Sequence, residues 1–512
     1  MKKKMKPVLL TLLVLTGLTV GGFYFLTVKK DGPKKDFVNR MQIEQRDLEN
    51  DRAYQYDMDG KAVELVTAGE NKNVLNFDQG ALYSVQNSNA ARERLNRLIK
   101  RTDADFENPI IALNPFGTNE NSLYFYFETS TRCMIRYTIT VEEESVMDHV
   151  RYVNNGQENN LAKTHEFVVS GMVPGRDNYI IIEMLDSEGT KRESRTYKYT
   201  MPVSDVLAQL KVEQGYSKET SKTGMFFVLP KNTNRILCYD NRGVLRNVTK
   251  TETSHGRRFY QFFDSVLYQV ADDKVAKVSR IGQVTGVAQV KGYGKIKDFS
   301  YDGYNEIYSI GTKKGRDYLL ATAMDSGKTR VVYRFPKGVR LGSLSIPQGG
   351  MVMMTGIAPS GIIVMDAITS SHPKISYVLG KKSAWKKKVA KKKIVEDKEV
   401  VMWDTRQSLL NASDSGSGEY SMTVVKQGKV SAVSWTLDKK KKEVKLSYCY
   451  PFGGNAANPS QIKGDNMIYT DITSGVFEEF DKEGKGIRKI SLGSSVDAVV
   501  KVTLGNMCFY GI

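Results

Sequence analysis

A β-hairpin pattern recurs six times after residue 230 of this chain, and no other feature restricts its fold as strongly. Each copy has two apolar runs around a turn rich in Asp, Asn and Gly, which is typical of a strand–turn–strand unit. The hairpins begin near residues 236, 275, 319, 361, 433 and 475. A period near 40 residues with about four short strands per repeat is typical of a β-propeller blade. The sequence therefore predicts a six-bladed β-propeller over residues 204–512.

A further strand is predicted before each hairpin, and we interpret these six strands as the inner strands of the blades. They are Met225–Leu229, Val266–Val270, Glu306–Ile310, Met351–Thr355, Val400–Trp403 and Met467–Thr470. The one long step between hairpins holds an insertion that includes Lys381–Lys393. Because an open sheet edge promotes aggregation, we expect the segment Val500–Tyr510 to close the ring against the first blade.

Residues 105–203 show a different strand pattern. Leu123 and Phe125 alternate with Tyr124 and Tyr126, as in a half-buried strand. Several more short strands follow, and Pro174–Asp177 is a turn between two of them. This spacing is typical of a small β-sandwich, so the predicted fold class is all-β.

The beginning of the chain resembles a membrane anchor. Pro7–Val28 has 22 residues without a charge, and about 20 are enough to cross a bilayer. No cleavage site of the Ala-x-Ala kind precedes Lys29, so we expect an uncleaved transmembrane helix. We predict a cytoplasmic tail at residues 1–6, a single pass through the cell membrane at 7–28 and an extracytoplasmic body. Residues 29–104 would form a stalk that contains a helix at Asn89–Lys100 and that is compatible with a homodimer.

The net charge of +18 suits an anionic partner, although a solvated lysine-rich surface is the simpler explanation. Eight lysines lie between Lys381 and Lys393, with Trp385 among them. They could form a loop that binds an anionic wall polymer or lipid headgroups, or a disordered charged loop. We do not expect nucleic acid as a partner, because the body is predicted outside the cell and few aromatic residues accompany the lysines.

The four cysteines give no metal motif. Cys133, Cys238, Cys449 and Cys508 are far apart in sequence and form no Cys-x-x-Cys pair. They could pair in an oxidising compartment or remain buried thiols. We predict neither a metal nor a cofactor.

Two segments carry a resemblance to a known family. Asn108–Thr118, which contains the run Asn114-Pro115-Phe116-Gly117, followed by Ser122–Phe127, resembles the opening of the N-terminal domain of bacterial arylsulfate sulfotransferases. The six-hairpin array resembles their propeller. The resemblance implies transfer of a sulfuryl group between phenols through a sulfated histidine, which attacks as neutral imidazole. It also implies cationic groups for the sulfuryl oxygens and an acid for the leaving phenolate, around one mouth of the channel.

The histidines implied by the resemblance are missing. Where the family has Gly-Tyr-His-His-Asp, this chain has Gly292–Asp298, and Arg340–Leu344, Thr355–Ser360 and Trp385–Lys398 also contain no histidine. The chain has four histidines, at positions 149, 165, 255 and 372. Two lie in the predicted sandwich and one in an outer hairpin, which leaves His255 as a weak catalytic candidate.

We therefore interpret the chain as a non-catalytic ligand-binding or interaction protein on an arylsulfate sulfotransferase scaffold. The alternative is an active aryl-sulfate sulfotransferase whose catalytic residues cannot be assigned. Lys295 and Lys297 are predicted to face the mouth together and to bind an anion, unless Asp298 neutralises one of them. Trp403 and Arg406 could line the channel or form a turn at the end of a strand.

Overall fold

The structure is a computed structural model. It describes residues 62–78, 80–143, 145–153, 160–207, 209–215, 224–252, 258–262, 264–346, 351–366, 372–405, 410–412, 419–426, 429–438, 440–452, 460–461, 467–481 and 485–502. The predicted anchor at 7–28 lies outside these residues. Within the described part of the chain, no helix is both long enough and apolar enough to span a membrane.

Among the described residues, the N-terminal module has eight strands and one helix. They are β1 (Val63–Glu64), β2 (Leu75–Asn76), α1 (Val85–Ile99), β3 (Ile110–Leu113), β4 (Ser122–Thr140), β5 (His149–Tyr152), β6 (Ala162–Ser170), β7 (Asp177–Leu185) and β8 (Lys191–Thr200). The long strand β4 pairs with β3 and β6 through its first half and with β5 and β7 through its second half. Phe125 and Tyr137, one from each half, lie in the same buried cluster. The two halves of β4 thus enclose one core, as the predicted sandwich requires.

Helix α1 begins four residues before the predicted start, because Ser84 caps it by accepting a hydrogen bond from the backbone N of Asn87. Its buried Leu95 belongs to the same cluster as Ile281 of the propeller. The hydroxyl of Ser88 accepts a hydrogen bond from the backbone N of Val284 at 2.8 Å. The described part of the predicted stalk is therefore packed against the body.

The remaining strands form six separate sheets. They are β9 (Lys211–Gln214), β10 (Met225–Pro230), β11 (Arg235–Tyr239), β12 (Leu245–Lys250), β13 (Phe259–Gln261), β14 (Ser265–Ala271), β15 (Lys274–Ser279), β16 (Val284–Gln289), β17 (Phe299–Tyr301), β18 (Glu306–Lys313), β19 (Arg316–Ala323), β20 (Thr329–Arg334), β21 (Arg340–Ser345), β22 (Met351–Ala358), β23 (Ser360–Asp366), β24 (Lys374–Leu379), β25 (Ile394–Val395), β26 (Trp403–Asp404), β27 (Asn411–Ala412), β28 (Glu419–Lys426), β29 (Lys429–Asp438), β30 (Glu443–Phe452), β31 (Ser460–Gln461), β32 (Met467–Asp471), β33 (Val476–Phe480), β34 (Gly486–Ser491) and β35 (Val496–Val502). Three short helical segments interrupt them: α2 (Lys382–Trp385) and two 3-10 turns, Lys391–Lys393 and Val400–Met402.

Each sheet is one blade of a six-bladed propeller, which confirms the predicted architecture. The blades consist of β35 with β10–β12, then β13–β16, β17–β20, β21–β25, β26–β30, and finally β31–β34 with β9. The predicted hairpins are the third and fourth strands of the blades. The turn chemistry is as expected: Asp240 accepts hydrogen bonds from the backbone N of Arg242 and of Val244, and Gly243 adopts φ +80.

The predicted inner strands are not innermost. Five of the six exist, but each is second in its blade, as Glu306–Ile310 is within β18. The first strands of neighbouring blades contact one another, for example β17 with β21 and β21 with β27, so these short strands surround the axis. The sixth prediction, Val400–Trp403, is wrong for its first three residues, because Val400–Met402 forms a 3-10 turn and only Trp403 belongs to a strand. Just before the turn, Asp397 accepts hydrogen bonds from the backbone N of Glu399 and of Val400.

Two strands from distant parts of the chain close the ring. Strand β35 pairs with β10 in the first blade, so the predicted closure is made by Val496–Val502, and residues 503–512 lie outside the described chain. Strand β9 pairs with β34 and completes the last blade. The Nζ atom of buried Lys501 lies 2.8 Å from Oε1 of Glu479, which also pairs with Arg488. A buried charge cluster therefore joins the last blade to the first.

Candidate functional site

One end of the propeller carries the loops that lead into the innermost strands. Because successive strands of a blade are antiparallel, these loops share an end with the turns between second and third strands. This end, which includes residues 290–298, 313–316 and 335–340, is termed the loop face below. The N-terminal module contacts other surfaces: Thr118 donates a hydrogen bond to the Gly282 carbonyl at the opposite end, and the backbone N of Glu120 donates to Val248 of the outer strand β12.

A buried ion pair occupies the region where the innermost strands begin. Arg258 precedes β13 and Asp298 precedes β17; Nε of Arg258 lies 2.9 Å from Oδ1 of Asp298 and Nη2 lies 2.8 Å from Oδ2. The same Nη2 donates to the carbonyls of Leu344 and Leu410, at 2.8 and 2.7 Å. Asp298 accepts a further hydrogen bond from the backbone N of Leu344 at 2.9 Å. This central ion pair therefore connects four consecutive blades.

The surroundings of the central ion pair keep Arg258 charged. Burial by itself would lower the pKa of the guanidinium, but the charge of Asp298 and its hydrogen bonds raise that pKa above its usual value. Arg258 is 7% exposed and Asp298 is 1% exposed. Both hydrogen-bonding edges of the carboxylate are in use, so the pair cross-links the blades rather than offering a free cation.

Lys295 and Lys297 do not converge on a common site. The Nζ atom of Lys295 lies 2.7 Å from Asp272, and that of Lys297 lies 2.7 Å from Asp317. The prediction assumed an extended segment, but this segment is a loop in which Gly292 and Gly294 have positive φ, so alternate side chains need not share a direction. Asp298, which was the alternative partner for one of the lysines, pairs with Arg258.

Asp317 is the second buried carboxylate of the loop face. It accepts hydrogen bonds from the hydroxyl of Thr312, from the backbone N of Leu341 and from Nζ of Lys297, each at 2.7 Å. Burial lowers the pKa of Lys297 below its usual value, and the charge of Asp317 opposes that shift. Asp317 thus attaches the start of the fourth blade to the third.

Trp403 lies in the core and not in a channel. It is 3% exposed, begins β26 and packs against Trp435 with ring centroids 6.2 Å apart. Arg406 and His255 lie outside the described residues. Arg258 and Asp317 were missed by the sequence analysis. The sequence does contain a feature that could have identified Arg258. Arg258 and Asp298 occupy equivalent positions in successive repeats, and each precedes a short strand that contains aromatic residues.

The segments that would hold catalytic histidines hold hydrogen-bonded polar side chains. The hydroxyl of Ser343 lies 3.0 Å from that of Thr355 and accepts a hydrogen bond from the backbone N of Leu410 at 2.9 Å. Arg340 approaches Asp317 at 3.8 Å. Among the described residues, no group of three or more His, Cys, Asp and Glu is arranged to hold a metal ion.

Two histidines of the N-terminal module are buried. Nε2 of His165 lies 3.3 Å from Sγ of Cys133, a distance that would suit a thiol–imidazole pair. However, burial lowers the pKa of His165 to about 4 and raises the pKa of Cys133. Both groups are therefore neutral near pH 7, and Cys133 is not a thiolate nucleophile. Burial likewise lowers the pKa of His149.

Comparisons with known proteins identify the N-terminal module. Residues 110–202 match the model of the arylsulfotransferase Ig-like domain, which confirms the resemblance predicted for the N-terminal domain. No curated protein gives a significant match to the chain. Among solved structures, a protein of unknown function from Bacteroides caccae is 9% identical, with 55% of this chain and 99% of that chain covered and a TM-score of 0.38. TolB from Acinetobacter baumannii is 11% identical, with 64% and 79% covered and a TM-score of 0.38.

Proposed function

We propose that this chain, whose residues 110–202 are an Ig-like domain of the arylsulfotransferase type, is a non-catalytic ligand-binding or interaction protein. The observation that carries the proposal is the central ion pair of Arg258 and Asp298. This ion pair joins four blades in the region where the resemblance to the family implies that the reacting groups would lie.

Sulfuryl transfer requires cations that are available to the sulfuryl oxygens as negative charge develops. Three described cations of the loop face lie in or beside the segments where the family would have histidines, and all three already form ion pairs. Arg258, Lys295 and Lys297 each pair with a carboxylate, and two of these carboxylates are buried and also hold backbone N–H groups. These ion pairs stabilise the propeller and leave the three cations matched by three carboxylates.

The proposal is tested by a transfer assay with a chromogenic phenyl sulfate as donor and a phenol as acceptor. We expect no turnover above that of a sample without protein, because the chain lacks the imidazoles that would act as nucleophile and acid. Two variants make the test specific: His255→Ala, and His372→Ala as a matched control on the outer hairpin. Turnover that persists through purification and disappears only in His255→Ala would refute the proposal and identify His255 as the nucleophile.

A further inference from the structure

The lysine-rich insertion of the fourth blade is folded against the propeller. Strand β25 extends the blade by pairing in parallel with β24. Trp385 at the end of α2 is fully buried, and its indole N–H donates to the carbonyl of Ser360 at 3.0 Å. The ring lies so close to Gly361 and Gly380 that a Cβ there would come within 3.0 and 2.8 Å of its nitrogen. The insertion is therefore an anchored surface, and not the disordered loop that the sequence left open.

The lysines alternate with the residues that anchor the insertion. Three lysine pairs recur every five residues, and between them stand Trp385, which is buried, and Val389, which packs against the same apolar cluster. The exposed members of these pairs are Lys381, Lys382, Lys386, Lys387, Lys391 and Lys392, together termed the lysine platform. Lys388 and Lys393 instead donate to the carbonyls of Lys337 and Ile375, at 2.8 and 2.5 Å, and hold the insertion in place.

The charges of the lysine platform are not neutralised. In the part of the chain that the structure describes, none of its six ammonium groups forms an ion pair, whereas Lys295 and Lys297 each do. Of the nearby carboxylates, Glu396 accepts from the backbone N of Lys382, and Asp397 accepts from backbone N atoms on both oxygens. These acids therefore stabilise the local backbone and do not pair with the platform.

The basic surface continues across the loop face. Lys388 contacts the carbonyl of Lys337, which places the platform beside the loop between the third and fourth blades. Lys313 and Lys314, in the turn between β18 and β19, are exposed on the same face. The ammonium groups thus lie along an exposed surface. A long polyanion can contact many of them at once and release its counterions.

We propose that the lysine platform binds a flexible polymer carrying repeated phosphate or sulfate groups, an inference that rests on the proposed non-catalytic binding function. Lysine suits such a ligand because its ammonium is a compact charge on a flexible stem that needs no fixed partner geometry. The platform belongs to the fourth blade, which stands across the six-membered ring from the first, whereas the N-terminal module contacts the first and second blades. A membrane is the alternative partner, and the test below distinguishes it.

The test measures binding of the full chain to labelled long-chain polyphosphate and to heparin across a range of salt concentrations. The platform variant replaces Lys381, Lys382, Lys386, Lys387, Lys391 and Lys392 with glutamine. The matched control removes the same charge from scattered exposed positions by replacing Lys72, Lys100, Lys163, Lys191, Lys231 and Lys328 with glutamine. Thermal unfolding of both variants checks that the fold is unchanged, and the two polymers at equal charge distinguish phosphate from sulfate ligands.

We expect binding to weaken with salt, and the platform variant to lose affinity by about tenfold or more together with part of its salt dependence. The control should stay within about twofold of the original protein, because dispersed charges contribute little beyond a Debye length. Equal losses in the two variants would mean that only net charge matters and would overturn the proposal. The proposal would also be overturned if inorganic phosphate, at the same concentration of phosphate groups, displaced the polymer from the protein.

Vesicles containing anionic phospholipid provide the remaining arm. Platform-dependent binding to vesicles without binding to either polymer would assign the platform to a membrane and overturn the proposal. The phenyl sulfate assay on the original protein reads the proposed function separately. Turnover there refutes the non-catalytic function, whereas platform-independent binding without turnover refutes only the polymer site.

Discussion

Asp298 accepts hydrogen bonds from Arg258, from the backbone N of Leu344 and from that of Phe299, so one carboxylate holds groups from three blades. Its negative charge is matched by a guanidinium that is itself buried. Breaking a buried pair by removing one partner leaves an uncompensated charge in a medium that solvates it poorly. At the residue scale, the centre of the loop face therefore depends on two side chains that come from different repeats.

Replacing Asp298 with asparagine tests this dependence. The change keeps the size of the side chain but leaves Arg258 without its counterion, so we expect the free energy of unfolding to fall by about 3–5 kcal/mol. Urea denaturation measures the loss. The matched control is Asp272→Asn, which breaks the exposed pair with Lys295 and should cost about 0–1 kcal/mol. Similar losses in both variants would mean that the central ion pair contributes no more than a surface pair.

At this scale, the sequence shows which catalytic residues are absent, but it does not show which charged side chains form ion pairs with one another. The missing histidines are visible in the sequence, because no shift in the placement of segments can create them. The partners of Lys295 and Lys297 are not visible, because Asp272 lies in the preceding blade and Asp317 lies one strand pair later. The direction of each side chain depends on loop dihedral angles that the alternation rule for strands does not cover.

At the scale of elements, local chemistry predicts the blades well. The hairpin turns depend on Asp and Gly residues close in sequence, as at Asp240 and Gly243, so the six hairpins can be found without knowledge of the ring. The innermost strands β13 and β17 are only three residues long, too short to produce a recognisable alternation. The second strands were therefore mistaken for them. The strand predicted at Val400–Trp403 is wrong because Val400–Met402 forms a 3-10 turn, just after Asp397 accepts hydrogen bonds from the backbone N of Glu399 and of Val400.

Ring closure gives the prediction at this scale. Lys501 of β35 is fully buried against Glu479 of β33, whereas Lys489 of β34 is exposed and approaches Glu478 at 3.9 Å. We expect Lys501→Ala to increase amide hydrogen exchange in β10 and β33, because it weakens the contact between the first and last blades. Lys489→Ala should leave exchange in those strands unchanged. Uniform changes in both variants, or none in Lys501→Ala, would show that the charge cluster does not hold the ring closed.

For the whole molecule, the distribution of charge is more informative than its sum. The net charge of +18 includes lysines paired with carboxylates and lysines that carry no ion pair in the described chain, and the second group is concentrated on the insertion of the fourth blade. The composition gives the net charge, but only the fold shows where the lysines without an ion pair are located. The same holds for the N-terminal module, whose helix the sequence predicts but whose packing on the propeller it does not.

The last prediction concerns residues 7–28, which would attach the molecule to a membrane. Because no cleavage site precedes Lys29, we expect these residues to remain on the mature protein as a transmembrane anchor. Mass spectrometry of the native protein should then detect an N-terminus before Pro7. A new N-terminus between Phe23 and Lys35 would contradict the anchor and indicate a cleaved signal peptide.

Strand β9 is synthesised before all other blade strands, yet its partner in the described chain is β34, which is among the last to be made. Strand β10 likewise pairs with β35, which is synthesised near the end of the chain. During synthesis the intermediate blades can therefore form in order, while two complementary edges stay unpaired until the chain is nearly complete. This schedule makes the late stage of translation the period of greatest risk, since each exposed edge can pair with the matching edge of another nascent chain.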